Sequence, residues 1–435
     1  MSYNETLRGN RSPSCFRQVA LSTIKVALPV FWRGCVLTLL VAAGSGAGYG
    51  GGPANEPQRA FPNVPRDYLR EADTIPEFWV STVEGVHAFL LARVHKGTLA
   101  VIGTSAGGRP IEAVFYGRGR QGNGTTTFSG SLGAKDVKAY YGPDYGKRVY
   151  VAMAAVHGGE FEGIVGLVNL LAVLESGCDL RGRTWPGIVA QAARIDRIIV
   201  IPIVNMDGRA RVPLRMEAFR GTDGTISQYL NTGGWPSGEL IGWPECKAFI
   251  PLEFSSTQFP GGYPNDNGVN FMHDDFLGAR QPETQALLEL AARERPDLIL
   301  NLHTGVGSED YHPRMIRPML EEALTPAFNG FYRAVHTGLT RAGLQGSRDL
   351  SIEADPSRAP RGVYNLDTAL DLHCGAMSVV IEFPSHGYAG QNQKGEMVVQ
   401  SPDKLVTAEL VVQEEAMRYL ADAGGRSRWA AGTKQ

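Results

Sequence analysis

Four apolar runs in this chain each break off at a side chain able to bind a metal or make an amide hydrogen bond. Residues 149–156 (VYVAMAAV) end at His157-Gly158-Gly159-Glu160, and 197–204 (RIIVIPIV) end at Asn205-Met206-Asp207-Gly208. Residues 297–302 (DLILNL) end at His303, and 377–381 (MSVVI) end at Glu382. A short continuous apolar run reads as a strand buried on both faces of a parallel sheet. Ligands of open α/β sheets collect beyond the carboxyl ends of such strands, so His157, Asn205, His303 and Glu382 are expected at one rim. His157 and Glu160 stand three apart across a strand-to-helix turn, which is metal-ligand spacing. Alone, that pair is explained equally well by a helix with an acidic first turn. Taken with the other run endings, one zinc site accounts for three of them together: two His and one Glu as ligands, with a further carboxylate left as base.

Between these runs lie helical patterns. Residues 163–174 carry Ile164, Leu167, Val168, Leu170 and Leu171 at helical spacing, and 185–194 precede the second run. Residues 281–294 open with Pro282 and place Leu287, Leu288 and Ala291 on one face, and 320–343 are also helical in pattern. Residues 99–103 and 111–116 read as two strands joined by a turn-rich connection. Strand alternating with helix specifies a single α/β domain whose mixed, largely parallel β-sheet is flanked by helices on both faces. The segment 213–264 breaks the alternation with Gly, Pro and aromatic residues, and a connection of that length is usually functional. The glycines of 117–133 have no Lys-Ser/Thr after them and make no phosphate loop.

The first 55 residues differ from the rest. Arg8, Arg11, Arg17, Lys25 and Arg33 precede the apolar 35–43 and a Gly/Ala/Ser stretch, the order of a secretory signal. Arg33 interrupts the apolar stretch and leaves too little to span a bilayer. The expected organisation is a leader and low-complexity segment over 1–55, a linker over 56–75, the α/β domain over 76–425, and a flexible tail over 426–435. Secretion or export to a periplasm follows, with no stable membrane insertion once the leader is removed. A net charge of −2 over 435 residues leaves no footprint for nucleic acid. No CxxC is present, so cysteine chemistry has no motif here.

The order HGGE, NMDGR, LNLHTG, IEFPSHG resembles the zinc metallocarboxypeptidases of the carboxypeptidase A type, peptidase family M14, over roughly residues 97–390. The resemblance implies one Zn2+ per chain, held by His157, Glu160 and His303, with Glu382 as general base and a peptide or small amide as substrate. It also implies an arginine that stabilises the oxyanion, by count Arg220 with Arg215 as competitor, and a mobile tyrosine near Tyr364. One departure concerns substrate recognition. Where the family carries an Asn-Arg pair that grips a terminal carboxylate, this chain has Met272-His273, and a mostly uncharged imidazole does not replace a guanidinium fork. His273 and Asp274 are then expected to line the substrate site and to favour an amine or neutral group over a carboxylate. Asn270 stands where the family has an Asp that orients the first zinc His, and its amide oxygen still accepts from an imidazole N–H. Two other readings fit the motifs: a zinc-dependent deacylase of the aspartoacylase-like kind, since HGGE followed by LHT resembles those enzymes too, and a non-catalytic binding protein on the same scaffold.

Overall fold

In a computed structural model the described residues are 69–72, 74–217, 225–304, 313–319, 322–344, 350–386, 389–391 and 396–429. The chain divides into units 1–56 and 57–435, and the description below concerns the second. Arg220 and the expected leader lie outside the described residues.

Seven strands form one sheet: β1 (Thr98–Thr104), β2 (Pro110–Gly117), β3 (Val149–Ala154), β4 (Arg197–Ile201), β5 (Leu298–Thr304), β6 (Arg314–Ile316) and β7 (Met377–Phe383). Their spatial order is β1-β2-β4-β3-β5-β7-β6. The central four, β4-β3-β5-β7, run parallel, while β1, β2 and β6 close the edges in antiparallel pairs. The fold is therefore a single α/β domain on a mixed, largely parallel sheet. β4 is shorter than its apolar run because Pro202 has no N–H to continue the ladder. From β3 the chain goes on to β4 on one side, whereas from β5 it leads to β7 on the other. The switch point, where an open α/β sheet forms its crevice, thus lies between β3 and β5.

On one face of the sheet lies α1 (Phe161–Ser176), buried along nearly its whole length. Gly163 lets it approach closely, since a Cβ there would come within 2.9 Å of Leu302 Cβ and 3.1 Å of Ala154 Cβ. Over it packs α3 (Pro402–Ala423), which also contacts the helix Thr325–Arg341. On the opposite face are α2 (Pro282–Glu294) and the helix Leu366–Cys374, whose Leu287, Leu290, Ala291 and Leu370 meet Val151, Met153 and Ile299. The ends of the domain extend past the expected bounds. Leu69 is buried in the core, Glu71 accepts from the backbone N–H of Arg215 and Met216, and Arg426 in the terminal turn Arg426–Trp429 is fully buried.

Between α1 and α3 sits an acid that the fold keeps neutral. Glu409 is 1% exposed, neither of its carboxylate oxygens has a hydrogen-bond partner, and a Cβ on Gly166 would strike its side chain. Burial, and secondarily the nearby Glu162, raises its pKa well above the ordinary carboxylate range. A raised folded-state pKa contributes stability that is full below the unfolded value near ~4.3 and is lost as pH rises toward the folded value. Glu409→Gln removes that titration. Its Tm is expected to exceed the parent's by several degrees at about pH 8 and to match it at about pH 4, as read by thermal melts at the two pH values.

Candidate metal centre

The polarity of the site follows from strand register. In the parallel pair β5/β7, His303 is opposite Glu382 and Asn301 opposite Val380. In the antiparallel pair β6/β7, Arg314 is opposite Glu382 and Ile316 opposite Val380. Residues opposite one another share a face, and alternate residues share it along a strand. His303, Glu382 and Arg314 therefore form one row across three strands, and all three line a cavity of about 270 Å³. The intervening Leu302 and Ile381 point to the other face and belong to the apolar core.

His157 reaches the same cavity from the loop that follows β3. That loop needs its two glycines. A Cβ on Gly158 would lie 2.1 Å from Arg209 N, and one on Gly159 would lie 2.4 Å from Asn231 Oδ1. Asn205 caps the turn Met206–Arg211 by accepting from Gly208 N and donates to Tyr263 O at 2.9 Å, so it braces the loops and does not enter the cavity. Glu160 is the N-cap residue of α1 yet caps nothing with its carboxylate, which turns to the two histidines. Its position at a helix N-terminus favours the negative charge.

The three side chains converge. His157 Nδ1 lies 2.9 Å from Glu160 Oε1, His303 Nδ1 lies 3.0 Å from Glu160 Oε2, and the two Nδ1 atoms are 3.2 Å apart. All three groups are nearly inaccessible, at 7%, 2% and 2% exposure for His157, Glu160 and His303. One donor atom from each lies within 4.8 Å of the others. On its far side, the His157 ring places Nε2 3.3 Å from Asn270 Oδ1, an acceptor that favours the tautomer protonated at Nε2, while Nδ1 faces the other two groups. Tyr263 stacks on the same ring at 3.6 Å between centroids and fixes its plane.

Burial lowers the pKa of His157, outweighing the pull of Glu160. Burial would lower His303 as well, but there the Glu160 carboxylate prevails and raises it to about 9. The two histidines in turn hold Glu160 below the usual carboxylate range against the cost of burial. Two imidazole nitrogens and one carboxylate, buried with lone pairs facing one point, form a borderline N/O donor set that suits Zn2+ and leaves a position open.

Glu382 is the neighbouring acid. Burial raises its pKa, the positive charge at His303 opposes this, and Glu160 adds to it. His273 also lines the cavity, yet burial, with Lys247 and the two histidines adding, lowers its pKa to about 4, so it is neutral. Asp274 stands elsewhere: it accepts from the backbone N–H of Asp275 and Gln281, and Asp275 accepts from Gly278 N. These carboxylates shape a loop, so the acidic substrate region expected from 272–275 is not formed. Tyr364 is 44% exposed with its ring edge-on to Phe276, beside the cavity-lining Val363. Arg209 donates to Ser81 O, Val212 O and Leu214 O, Arg211 to Gly261 O, and Arg215 lies near Glu71, so none of the three lines the cavity. Among the described residues the cations lining the cavity are Lys247, Arg314 and Arg361, none of which the sequence motifs single out.

No family model matches the chain, and no curated protein matches it. Among solved structures it is similar to a metallo-carboxypeptidase from Burkholderia cenocepacia, at 13% identity over 78% of this chain and 69% of that one, with a TM-score of 0.46. It is similar also to a metallo-carboxypeptidase from Pseudomonas aeruginosa in complex with (2-guanidinoethylmercapto)succinic acid, at 16% identity over 77% and 68% of the two chains, TM-score 0.46. The carboxypeptidase A from Helicoverpa armigera matches at 13% identity over 87% and 80%, TM-score 0.44.

Proposed function

We propose that this chain is a zinc-dependent hydrolase of amide bonds, of the peptidase kind, with one Zn2+ held by His157, Glu160 and His303. The observation that carries the reading is the row His303–Glu382: a carboxylate that takes no part in the three-donor cluster stands one strand away from it, on the same face and at the same cavity. Bound there, zinc would supply a Lewis acid for the scissile carbonyl and lower the pKa of water. Glu382 takes the proton of the attacking water and returns it to the leaving amine, a task suited to a carboxyl whose pKa is raised toward neutrality. Asn270 and Tyr263 hold the His157 ring in place. Arg314, in the row beyond Glu382, is positioned to face the substrate, whereas the oxyanion role implied for Arg220 rests on the sequence resemblance alone. Export directed by residues 1–55 belongs to the same proposal. It is supported by the leader's composition, and no described helix is long and apolar enough to cross a membrane.

The test is hydrolysis of N-blocked dipeptides and of N-acetyl amino acids by the protein with and without zinc. Turnover that disappears on chelation and returns on adding zinc is the expected result. Equal rates with and without metal would overturn the reading. Preference for the dipeptides over the N-acetyl amino acids separates the peptidase from the deacylase reading.

A further inference from the structure

We propose that residues 234–259 form a flap held shut by the metal site through Tyr263, so that occupancy at His157 closes one wall of the cavity and loss of the metal opens it. The proposal rests on the ligand assignment above and requires no hydrolysis. It starts from how the segment packs. At its neck Gly234 N donates to Phe259 O at 2.8 Å and Phe259 N to Gly234 O at 3.3 Å. Beyond the neck, Ile241, Cys246 and Leu252 form a buried cluster separate from the main core, with Trp235, Phe249 and Phe254 packed on it, and Tyr263 completes it. A long segment with a small core of its own opens as a unit, at lower free energy than the whole domain. Gly233 and Gly261 flank the neck with φ of +82° and +75°, and a Cβ there would lie 2.2 Å from Phe259 O and 2.3 Å from Asn231 O. Only glycine fits that neck. The tip is tied by Leu252 N to Gly268 O at 2.8 Å and by the Arg211 guanidinium over Phe254, 4.6 Å from the ring centroid, neither of which involves the sheet.

Tyr263 belongs to this cluster and to the metal centre at once. Its ring stacks on His157 at 3.6 Å between centroids, with the planes 14° apart. With a metal at Nδ1 and Asn270 Oδ1 3.3 Å from Nε2, the imidazole is pinned at both nitrogens and Tyr263 lies on a fixed face. Without the metal, Nδ1 has the Glu160 carboxylate, which His303 also engages. The face under Tyr263 is then held less firmly, and the flap loses support on its inner side. Opening removes a wall of the site, because Trp243 and Lys247 both line the cavity, the ammonium 3.5 Å from the indole centroid. By linkage, a ligand resting on that wall tightens metal binding by the same factor as the metal tightens the ligand's.

The test reads two native thiols. Cys246 is free and 8% exposed within the flap cluster, and burial pushes its thiol up to about 12, so it reacts only when the flap opens. Cys374, also free, lies fully buried in the main core and serves as control. Thiol labelling of the full chain, mapped by peptide mass, is followed with zinc bound and after chelation. The expected result is that Cys246 reacts at least about tenfold faster without zinc, while Cys374 stays unlabelled in both states. Tyr263→Leu keeps an apolar side chain in the cluster but cannot stack, so it should bind zinc and label Cys246 equally fast with and without it. His157→Ala should label Cys246 fast whether or not zinc is added. Stoichiometric zinc with an unchanged Cys246 rate would overturn the flap and leave the ligand assignment standing. A zinc dependence that survives Tyr263→Leu would also overturn it, and so would labelling of Cys246 and Cys374 together, the mark of the whole domain opening. A parent protein that takes up no zinc would overturn the ligand assignment and the flap with it.

Discussion

His303→Ala is expected to leave a folded protein that binds well below one equivalent of zinc and hydrolyses nothing detectable. Its imidazole sits at the carboxyl end of β5, with Nδ1 3.0 Å from Glu160 and 3.2 Å from His157, and the sheet's own hydrogen bonds do not involve it. Removal takes one of three donors and leaves Glu160 with one imidazole, too few for a structural or catalytic zinc site. Metal content by elemental analysis and far-UV circular dichroism together decide the case. Stoichiometric zinc in a folded His303→Ala protein would show that the ligand assignment is wrong.

The second large effect is kinetic. Glu382→Gln keeps size and backbone but cannot accept a proton as a carboxylate does, so kcat should fall by about 10²–10⁴, with zinc content unchanged. The parent enzyme's pH profile carries the same signature. Only the carboxylate form of Glu382 accepts the proton, so kcat/KM falls as pH drops through its pKa, which burial raises and a bound cation would lower. That acid limb should be absent from the residual activity of the glutamine variant. A limb that survives would place the essential base elsewhere.

The central sheet and the donor cluster were legible in the sequence for one reason: buried parallel strands are continuous apolar runs, and a polar residue at the end of such a run is conspicuous. The runs at 149–156, 297–302 and 377–381 became β3, β5 and β7, and His157, Glu160 and His303 lie close together at the ends of the first two. The long C-terminal helix Pro402–Ala423 was not anticipated, because its buried face carries Glu409, Gln413 and Glu415 and its apolar period is diluted. Arg314 gave no local signal either. It lies in a three-residue edge strand and acquires its place only by pairing with Glu382. Tyr263 was visible only as part of a Gly-rich loop, since stacking on a histidine over a hundred residues away leaves no mark on sequence spacing. Asp274 misled for the opposite reason: charge composition suggested an acidic wall, but backbone N–H groups claim its carboxylate.

The row His303–Glu382–Arg314 also bears on how such a protein can change. The gap between His303 and Glu382, the proposed ligand and base, is one interstrand spacing, about 4.8 Å, set by backbone hydrogen bonding and not by any loop. Loops carrying Trp243, Lys247, His273 and Arg361 can therefore be exchanged to admit new substrates while the reacting groups keep their separation. The vulnerability lies in the ladder itself. A slip of β7 by one residue would turn Glu382 to the face packed by α1 and present Ile381 or Phe383 to the cavity, so insertions are tolerable between strands and ruinous within them.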